Sequence, residues 1–385
     1  MKKSDSTIRI AFTGGGTGGH IYPGIAVCDV LKKNASLKNK EIELYWIGNS
    51  SGMDRKIVEK NLVKNGGSIT AFIGIPSGKL RRYFSLKNFF DLFKIGFGLI
   101  KAFFVLKKIK PLCLFSKGGY VSVPPCKAAS FLHIPYFTHE CDFTPGLATR
   151  LNSSKAKNIF ISYKETEFYF KETLRKKCIV TGNPVRPVFY SADRKKGLYF
   201  LGIPENHEKP MLLVLGGSLG ARQINDLIIE NLDWIKERFI TVHQTGASFA
   251  EENPQVMKST DSDYKPYDFI YSEMPHVVKA ADIIIGRAGA NSLWECAVCE
   301  KPMVLIPLCT QGSRGDQIDN ARFFAEKKCA LVLEGEQACS EKIKESLEFF
   351  IDEKNRSEYS NALSKLVLER AAEKIAGIIS EEVKL

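Results

Sequence analysis

The stretch Ile8-Arg9-Ile10-Ala11-Phe12-Thr13-Gly14-Gly15-Gly16-Thr17-Gly18-Gly19-His20, running on into Ile21-Tyr22-Pro23, decides the fold class. A short β-rich run enters a loop in which five of six residues are glycine. Pro23 then stands where a helix begins, because the first turn of a helix does not use its amides internally. The unit reads as strand, glycine loop, helix. It recurs along the chain: Glu43 to Ile47 is a second strand, Pro111 to Ser116 leads into Gly118-Gly119, and Pro135 to Thr138 leads into His139-Glu140. Strands that alternate with helices imply a parallel, doubly wound α/β sheet.

A Pro- and charge-bearing segment, Gly182 to Gly197, interrupts the pattern, which restarts at Met211 to Leu215 running into Gly216-Gly217-Ser218. Further apolar runs follow at Phe239 to His243, Ile283 to Ile285 and Met303 to Ile306, each leading to Gly or Pro and a helical stretch. The 385 residues suit two domains better than one core. The expectation is two Rossmann-like domains joined near Gly182, with their sheets facing a cleft and ligand loops at the carboxyl ends of the strands.

Hydrophobic residues make up 44% and charged residues 25% of the chain, a globular composition without low-complexity or repeated segments. Ten cysteines scattered from Cys28 to Cys339 read as reduced thiols of a cytoplasmic protein. The stretch from Met1 to Gly19 lacks the apolar region of a signal peptide. No run reaches the roughly 18 apolar residues of a spanning helix, so the protein is not expected to be integral to a membrane. A net charge of +12 points to nucleic acid, anionic lipid or phosphorylated substrates. Its local distribution favours lipid. From Lys79 to Lys110 nine Lys and Arg face the single acid Asp91, interleaved with Phe84, Phe89, Phe90, Phe93, Phe97, Phe103 and Phe104. Cations beside many large apolar groups suit a membrane surface better than a duplex, and no nucleic-acid partner is expected.

Gly14, Gly16 and Gly19 also fit GxGxxG, which alone would suggest a dinucleotide. A NAD site wants an acid at the end of the next strand, and that strand ends Ile47-Gly48-Asn49. A tight structural turn is the bland alternative. Phosphate or pyrophosphate binding by the loop amides and the helix N-terminus is the reading preferred here. His20 follows the loop directly, where a neutral imidazole can take a proton from an attacking hydroxyl. Gly216-Gly217-Ser218-Leu219-Gly220-Ala221 offers a second phosphate cradle with a hydroxyl. Arg287-Ala288-Gly289-Ala290-Asn291-Ser292 follows a buried strand, and the Glu295 carboxylate beyond it suits two ribose hydroxyls. Arg186, in Gly182-Asn183-Pro184-Val185-Arg186, suits a phosphate met between domains. Cys296 and Cys299 form a CxxC with no second pair, so they read as helix packing. No grouping of Asp, Glu, His or Cys suggests a metal, and no cofactor is expected.

Taken together these strings resemble the MurG family of lipid II-forming N-acetylglucosaminyltransferases. The resemblance rests on the first glycine loop with His20, Gly118-Gly119-Tyr120-Val121-Ser122 with Pro124, His139-Glu140, Gly182 to Arg186, Gly216 to Ala221, His243-Gln244-Thr245-Gly246, Arg287 to Glu295, and Asp316-Gln317 with Asn320-Ala321. It implies a GT-B fold: residues 1–182 for the lipid acceptor, 183–355 for UDP-N-acetylglucosamine, and a C-terminal segment 356–385 whose helix, within Arg356 to Glu382, crosses back. It implies a metal-independent, inverting transfer onto the C4 hydroxyl of lipid I, with His20 as general base and Glu140 as a second catalytic candidate. Donor contacts would come from Thr17, Gly18, Gly19, Arg186, Gly217, Ser218, Leu219, Arg287, Ala290, Glu295 and Gln317. Acceptor contacts would come from Gly15, Gly16, Tyr120 and Asp142. The family's hydrophobic, basic-edged patch is similar to Lys79 to Lys110, implying a peripheral protein on the anionic cytoplasmic face of the inner membrane, with cell-wall synthesis complexes as partners. Two departures touch the acceptor loop: the family's His-Glu-Gln-Asn is His139-Glu140-Cys141-Asp142, and a family Asn is Thr149. Asp316 stands where many members have the first of paired glutamines. The rival readings are a GT-B enzyme acting on diacylglycerol, a non-catalytic nucleotide-sugar-binding protein, and a NAD-dependent oxidoreductase.

Overall fold

The structure is a computed structural model whose described residues are 7–78, 86–216, 221–309, 315–367 and 369–385. The chain divides into two compact units, Met1–Arg186 together with Glu369–Leu385, and Pro187–Leu368.

In the first unit seven parallel strands are β1 (Ile8–Thr13), β2 (Ile42–Asn49), β3 (Ala71–Ile75), β4 (Cys113–Ser116), β5 (Tyr136–Glu140), β6 (Asn158–Ile161) and β7 (Cys178–Val180). Their spatial order is β3-β2-β1-β4-β5-β6-β7. The order reverses at β1, the place where doubly wound sheets open a crevice for ligands. Thr13 pairs with Ser116, and Ser116 with Thr138. The carboxyl ends of β1, β4 and β5 are therefore level, and the loops that leave them are neighbours.

Parallel strands covered on both faces carry near-continuous apolar runs. On one face Ile10, Phe12, Trp46, Phe115 and Phe137 pack with Ile25 and Leu31 of the helix Tyr22–Leu37 and with Ile375 and Ile379 of the helix Ala371–Val383. On the other, Ala11, Leu114 and Tyr136 meet Ala102 and Leu106 of the helix Leu86–Ile109. Ile379 is fully buried, and truncating such a side chain to Ala costs about 2–5 kcal/mol.

The C-terminal segment folds as two helices. Glu353–Leu366, capped by the Asp352 carboxylate on the Lys354 amide, belongs to the second unit and buries only Leu363. Ala371–Val383 carries Ala372, Ile375, Ala376, Ile379 and Val383 at helical spacing, enough apolar surface to complete the core of the first unit. Lys38 and Lys40 fasten its end by donating to the carbonyls of Leu385 and Lys384.

The second unit holds six parallel strands, β8 (Met211–Leu215), β9 (Ile240–Gln244), β10 (Tyr264–Tyr267), β11 (Ile283–Gly286), β12 (Met303–Leu305) and β13 (Ala330–Val332), in the order β10-β9-β8-β11-β12-β13. Its core joins Leu212, Val214, Ile283, Ile285 and Val304 to Ile224 and Ile228 of the helix Arg222–Glu230. All ten cysteines are free, and Cys296 and Cys299 are buried in packing. Among the described residues no helix is long and apolar enough to cross a membrane.

Candidate functional site

The first glycine loop is shaped by what lies against it. A Cβ on Gly15 would fall 1.9 Å from the Asp54 carboxylate, and one on Gly16, whose φ is +88°, 2.5 Å from the Tyr120 ring. Any side chain there would displace its neighbours. Asp54, buried at the start of the helix Met53–Lys60, accepts the Gly16 amide at 2.9 Å and the Asn49 amide at 3.0 Å. Trp46 Nε1 donates to the Gly14 carbonyl at 3.2 Å. The loop is thus fixed from beneath before any ligand arrives. Burial raises the Asp54 carboxyl, and the amides of Gly16 and Asn49 pull it back down. Sequence reasoning missed Asp54. It sought an acid at the end of β2, whereas the carboxylate stands five residues past Asn49 and turns back to the loop amide.

Gly18-Gly19-His20 forms one 3₁₀ turn, in which the His20 amide donates to the Thr17 carbonyl at 3.1 Å. The helix Tyr22–Leu37 follows at once, with Pro23 in its first turn. Gly118 and Gly119, after β4, both have positive φ. A Cβ on Gly119 would lie 2.3 Å from the Gly15 carbonyl oxygen and 2.8 Å from His20 Cδ2. The half-buried His20 ring is therefore set against the second glycine pair while its backbone continues the first loop. Tyr120, whose phenol burial raises with help from Asp54 and Asp91, closes over Gly16.

The third loop leaves β5. Glu140 is buried, and its carboxylate accepts three backbone amides: Cys141 at 2.9 Å and Asp142 at 3.1 Å on Oε1, and Gly146 at 2.9 Å on Oε2. Both oxygens are committed to folding residues 141–146, which presents Asp142 on the loop. With both oxygens accepting amides, Glu140 shapes the loop that carries Asp142. Glu140, Cys141 and Asp142 bring ligand atoms within 4.8 Å of one another. The Glu140 oxygens already accept backbone amides, and burial pushes the Cys141 thiol up to about 12. His139 Nε2 donates to the Gly182 carbonyl at 2.9 Å. Burial, then the Lys117 charge, hold that ring neutral, so His139 ties β5 to the segment carrying Arg186. The Arg186 guanidinium lies 5.2 Å from the centre of the Tyr22 ring, at the start of the helix after the first loop.

In the second unit Gly217, Ser218 and Leu219 lie outside the described residues. Arg287, just beyond β11, donates to Gln223 Oε1 and to the Ile306 carbonyl, each at 3.3 Å. Ala290 begins the helix Ala290–Val298, and half-buried Glu295 lies further along it. Gln317, in the first turn of the helix Asp316–Glu326, accepts the Leu308 amide at 3.0 Å through Oε1. Asn320, one turn later and fully buried, donates to the Ala288 carbonyl at 3.2 Å. The loops after β11 and β12 are therefore held by the same helix, which brings Arg287, Ala290 and Gln317 to one end of the sheet. Deeper in the unit, His243 joins Tyr264 and Asn225, each at 3.0 Å.

Residues 10–161 match the glycosyltransferase family 28 N-terminal domain, and residues 211–376 match the glycosyltransferase family 28 C-terminal domain. A relative from Clostridium botulinum (strain Langeland), a UDP-N-acetylglucosamine--N-acetylmuramyl-(pentapeptide) pyrophosphoryl-undecaprenol N-acetylglucosamine transferase, is 37% identical over 98% of this chain and 99% of its own. The chain belongs to the MurG family of glycosyltransferases. A second MurG-family relative, from Treponema denticola and of the same description, is 52% identical over 85% of this chain and 84% of its own. The crystal structure of Acinetobacter baumannii MurG superposes with a TM-score of 0.72 at 22% identity, covering 97% of this chain and 99% of that one. That likeness is one of fold, GT-B.

Proposed function

We propose that this chain transfers N-acetylglucosamine from UDP-N-acetylglucosamine to the C4 hydroxyl of undecaprenyl-pyrophosphoryl-N-acetylmuramyl-pentapeptide, forming lipid II with inversion at the anomeric carbon. The observation that carries the reading is His20, held between two glycine loops in a chain of this family. Its imidazole takes the proton of the C4 hydroxyl, the oxygen bonds to the anomeric carbon, and the bond from that carbon to UDP breaks. The first unit would hold the acceptor pyrophosphate on the amides of Gly15 and Gly16, with Tyr120 and Asp142 alongside. The second would hold UDP-N-acetylglucosamine through Arg287, Ala290, Glu295, Gln317 and the Gly217 to Leu219 segment. Thr17, Gly18, Gly19 and Arg186 would complete the donor contacts. Negative charge on the departing diphosphate is then met by amides, arginine and helix N-termini.

The helix Leu86–Ile109 supports an acceptor carried in a membrane. One face packs inward through Gly98, Ala102 and Leu106, while Phe89, Leu92, Phe93, Phe97, Ile100 and Phe104 are all exposed, Phe97 by 65% and Phe104 by 62%. Lys94, Lys101, Lys107 and Lys108 are exposed on the same helix. An apolar stripe with lysines suits insertion at an anionic lipid surface. Such docking would place the protein at the cytoplasmic face of the membrane, where cell-wall synthesis complexes could meet it.

The test is UDP release from UDP-N-acetylglucosamine with and without a short-chain lipid I analogue, with UDP-glucose as control donor. Release that requires both the muramyl acceptor and the N-acetylglucosamine donor is expected. Release with diacylglycerol or UDP-glucose instead would overturn the acceptor or donor assignment.

A further inference from the structure

Lys117 ends β4 and precedes Gly118. It is 1% exposed, and its Nζ is shielded from solvent with no oxygen acceptor among the described residues, the Cys141 thiol being the weak acceptor beside it. Its amide donates to the Thr13 carbonyl at 2.8 Å. Its Cβ lies 3.1 Å from where a Gly14 Cβ would stand. Its Cβ therefore abuts the base of the first glycine loop, while the backbone continues into the second. Its charge is felt at the carboxyl end of β5, where it pulls against the effect of burial on the Cys141 thiol and helps keep His139 neutral.

A buried ammonium without an anion is costly, and a thiol is a poor acceptor. The buried carboxylates beyond β2 and at the end of β5 are both committed to backbone amides. Asp54 accepts Gly16 and Asn49, and Glu140 accepts Cys141, Asp142 and Gly146. The helix N-terminus at Tyr22 and the loop amides add further positive potential at the same place. An ammonium at this place, beneath a preformed anion cradle, is matched by an anionic ligand above it.

We propose that Lys117 is the fixed counter-charge for a diphosphate bound at the paired glycine loops, and so sets affinity for the pyrophosphate-linked acceptor and not for the donor. The inference rests on the acceptor site assigned above. Lys117 acts through its field in a poorly screened interior and not by contact, so it is a positioning residue.

The test is Lys117→Met, which keeps the stem and removes the charge, with Lys117→Arg as the charge-retaining variant. In steady-state transfer to a short-chain lipid I analogue, Lys117→Met raises the acceptor KM by about tenfold or more, the scale of one lost charge interaction in a poorly screened site. The donor KM and kcat stay near wild type, and Lys117→Arg stays closer to wild type than Lys117→Met. The melting temperature of Lys117→Met does not fall. A second readout needs no catalysis: with saturating UDP occupying the donor site, inorganic pyrophosphate raises the melting temperature of the wild type and does so less for Lys117→Met. If Lys117→Met is insoluble, Lys117→Gln takes its place. An unchanged acceptor KM with an unchanged pyrophosphate effect overturns the proposal, as does an equal rise in both KM values with a lower melting temperature. Should the wild type fail to use lipid I yet show a Lys117-dependent pyrophosphate effect, the activity assignment falls and the counter-charge stands.

Discussion

Replacing Glu140 by Gln separates a positioning residue from a base. The carboxylate accepts three amides, and Gln keeps one carbonyl oxygen for Cys141 and Asp142. Its NH₂ then faces the Gly146 amide in place of Oε2, two donors meeting where 2.9 Å separated donor from acceptor. A lost hydrogen bond to a charged group is worth about 1.5–3 kcal/mol, and the orphaned buried amide adds to that. About 2 kcal/mol corresponds to a fall of roughly 4–8 °C in the melting of a domain of this size. The expected result in thermal unfolding followed by circular dichroism is therefore a lowered transition. In UDP-release kinetics the acceptor KM rises because the Cys141 to Gly146 loop is loosened, while kcat falls only modestly. Unchanged melting with kcat reduced by a hundredfold or more would refute the reasoning and make Glu140 the proton acceptor.

His20→Ala should retain UDP-N-acetylglucosamine binding, measured by calorimetry, and lose transfer by about 10²-fold or more; near wild-type turnover would move the base elsewhere. Phe97→Glu combined with Phe104→Glu should abolish sedimentation with anionic vesicles while leaving the fold intact, and binding by the wild type should weaken with salt and with neutral lipid. Equal binding to neutral and anionic vesicles would remove the electrostatic part of that docking. His243 is buried, and its pKa is lowered to about 3. The unfolded chain takes up its proton below about pH 6.5 while the folded one resists until about 3, so stability present above pH 6.5 is lost as pH falls across that window. Melting measured from pH 7 to 4 should show this slope in the wild type and less of it in His243→Gln.

The chain order of residues determined more of this protein than the site's working geometry. Ile8 to Thr13, Met211 to Leu215 and Ile283 to Ile285 are apolar β-rich runs that end at glycine, and each is a central strand because a run buried on both faces leaves that pattern. Edge strands left little trace: β10 is Tyr264–Tyr267 with Lys265 and Pro266 inside it, and β7 spans only Cys178–Val180, too short and too exposed to alternate visibly. The glycine loops and His20 were legible because neighbours in sequence make them. What Asp54, Glu140, Asn320 and Lys117 do was not, since each acts on backbone or charge brought near by sheet register, and one-dimensional spacing does not record which amide a carboxylate will meet. Glu140 is a catalytic candidate by resemblance, and the three amides converging on it are visible only in the fold. Lys117 reads in sequence as one more cation among many; the fold alone buries it at the base of two glycine loops, its Nζ without an oxygen acceptor among the described residues.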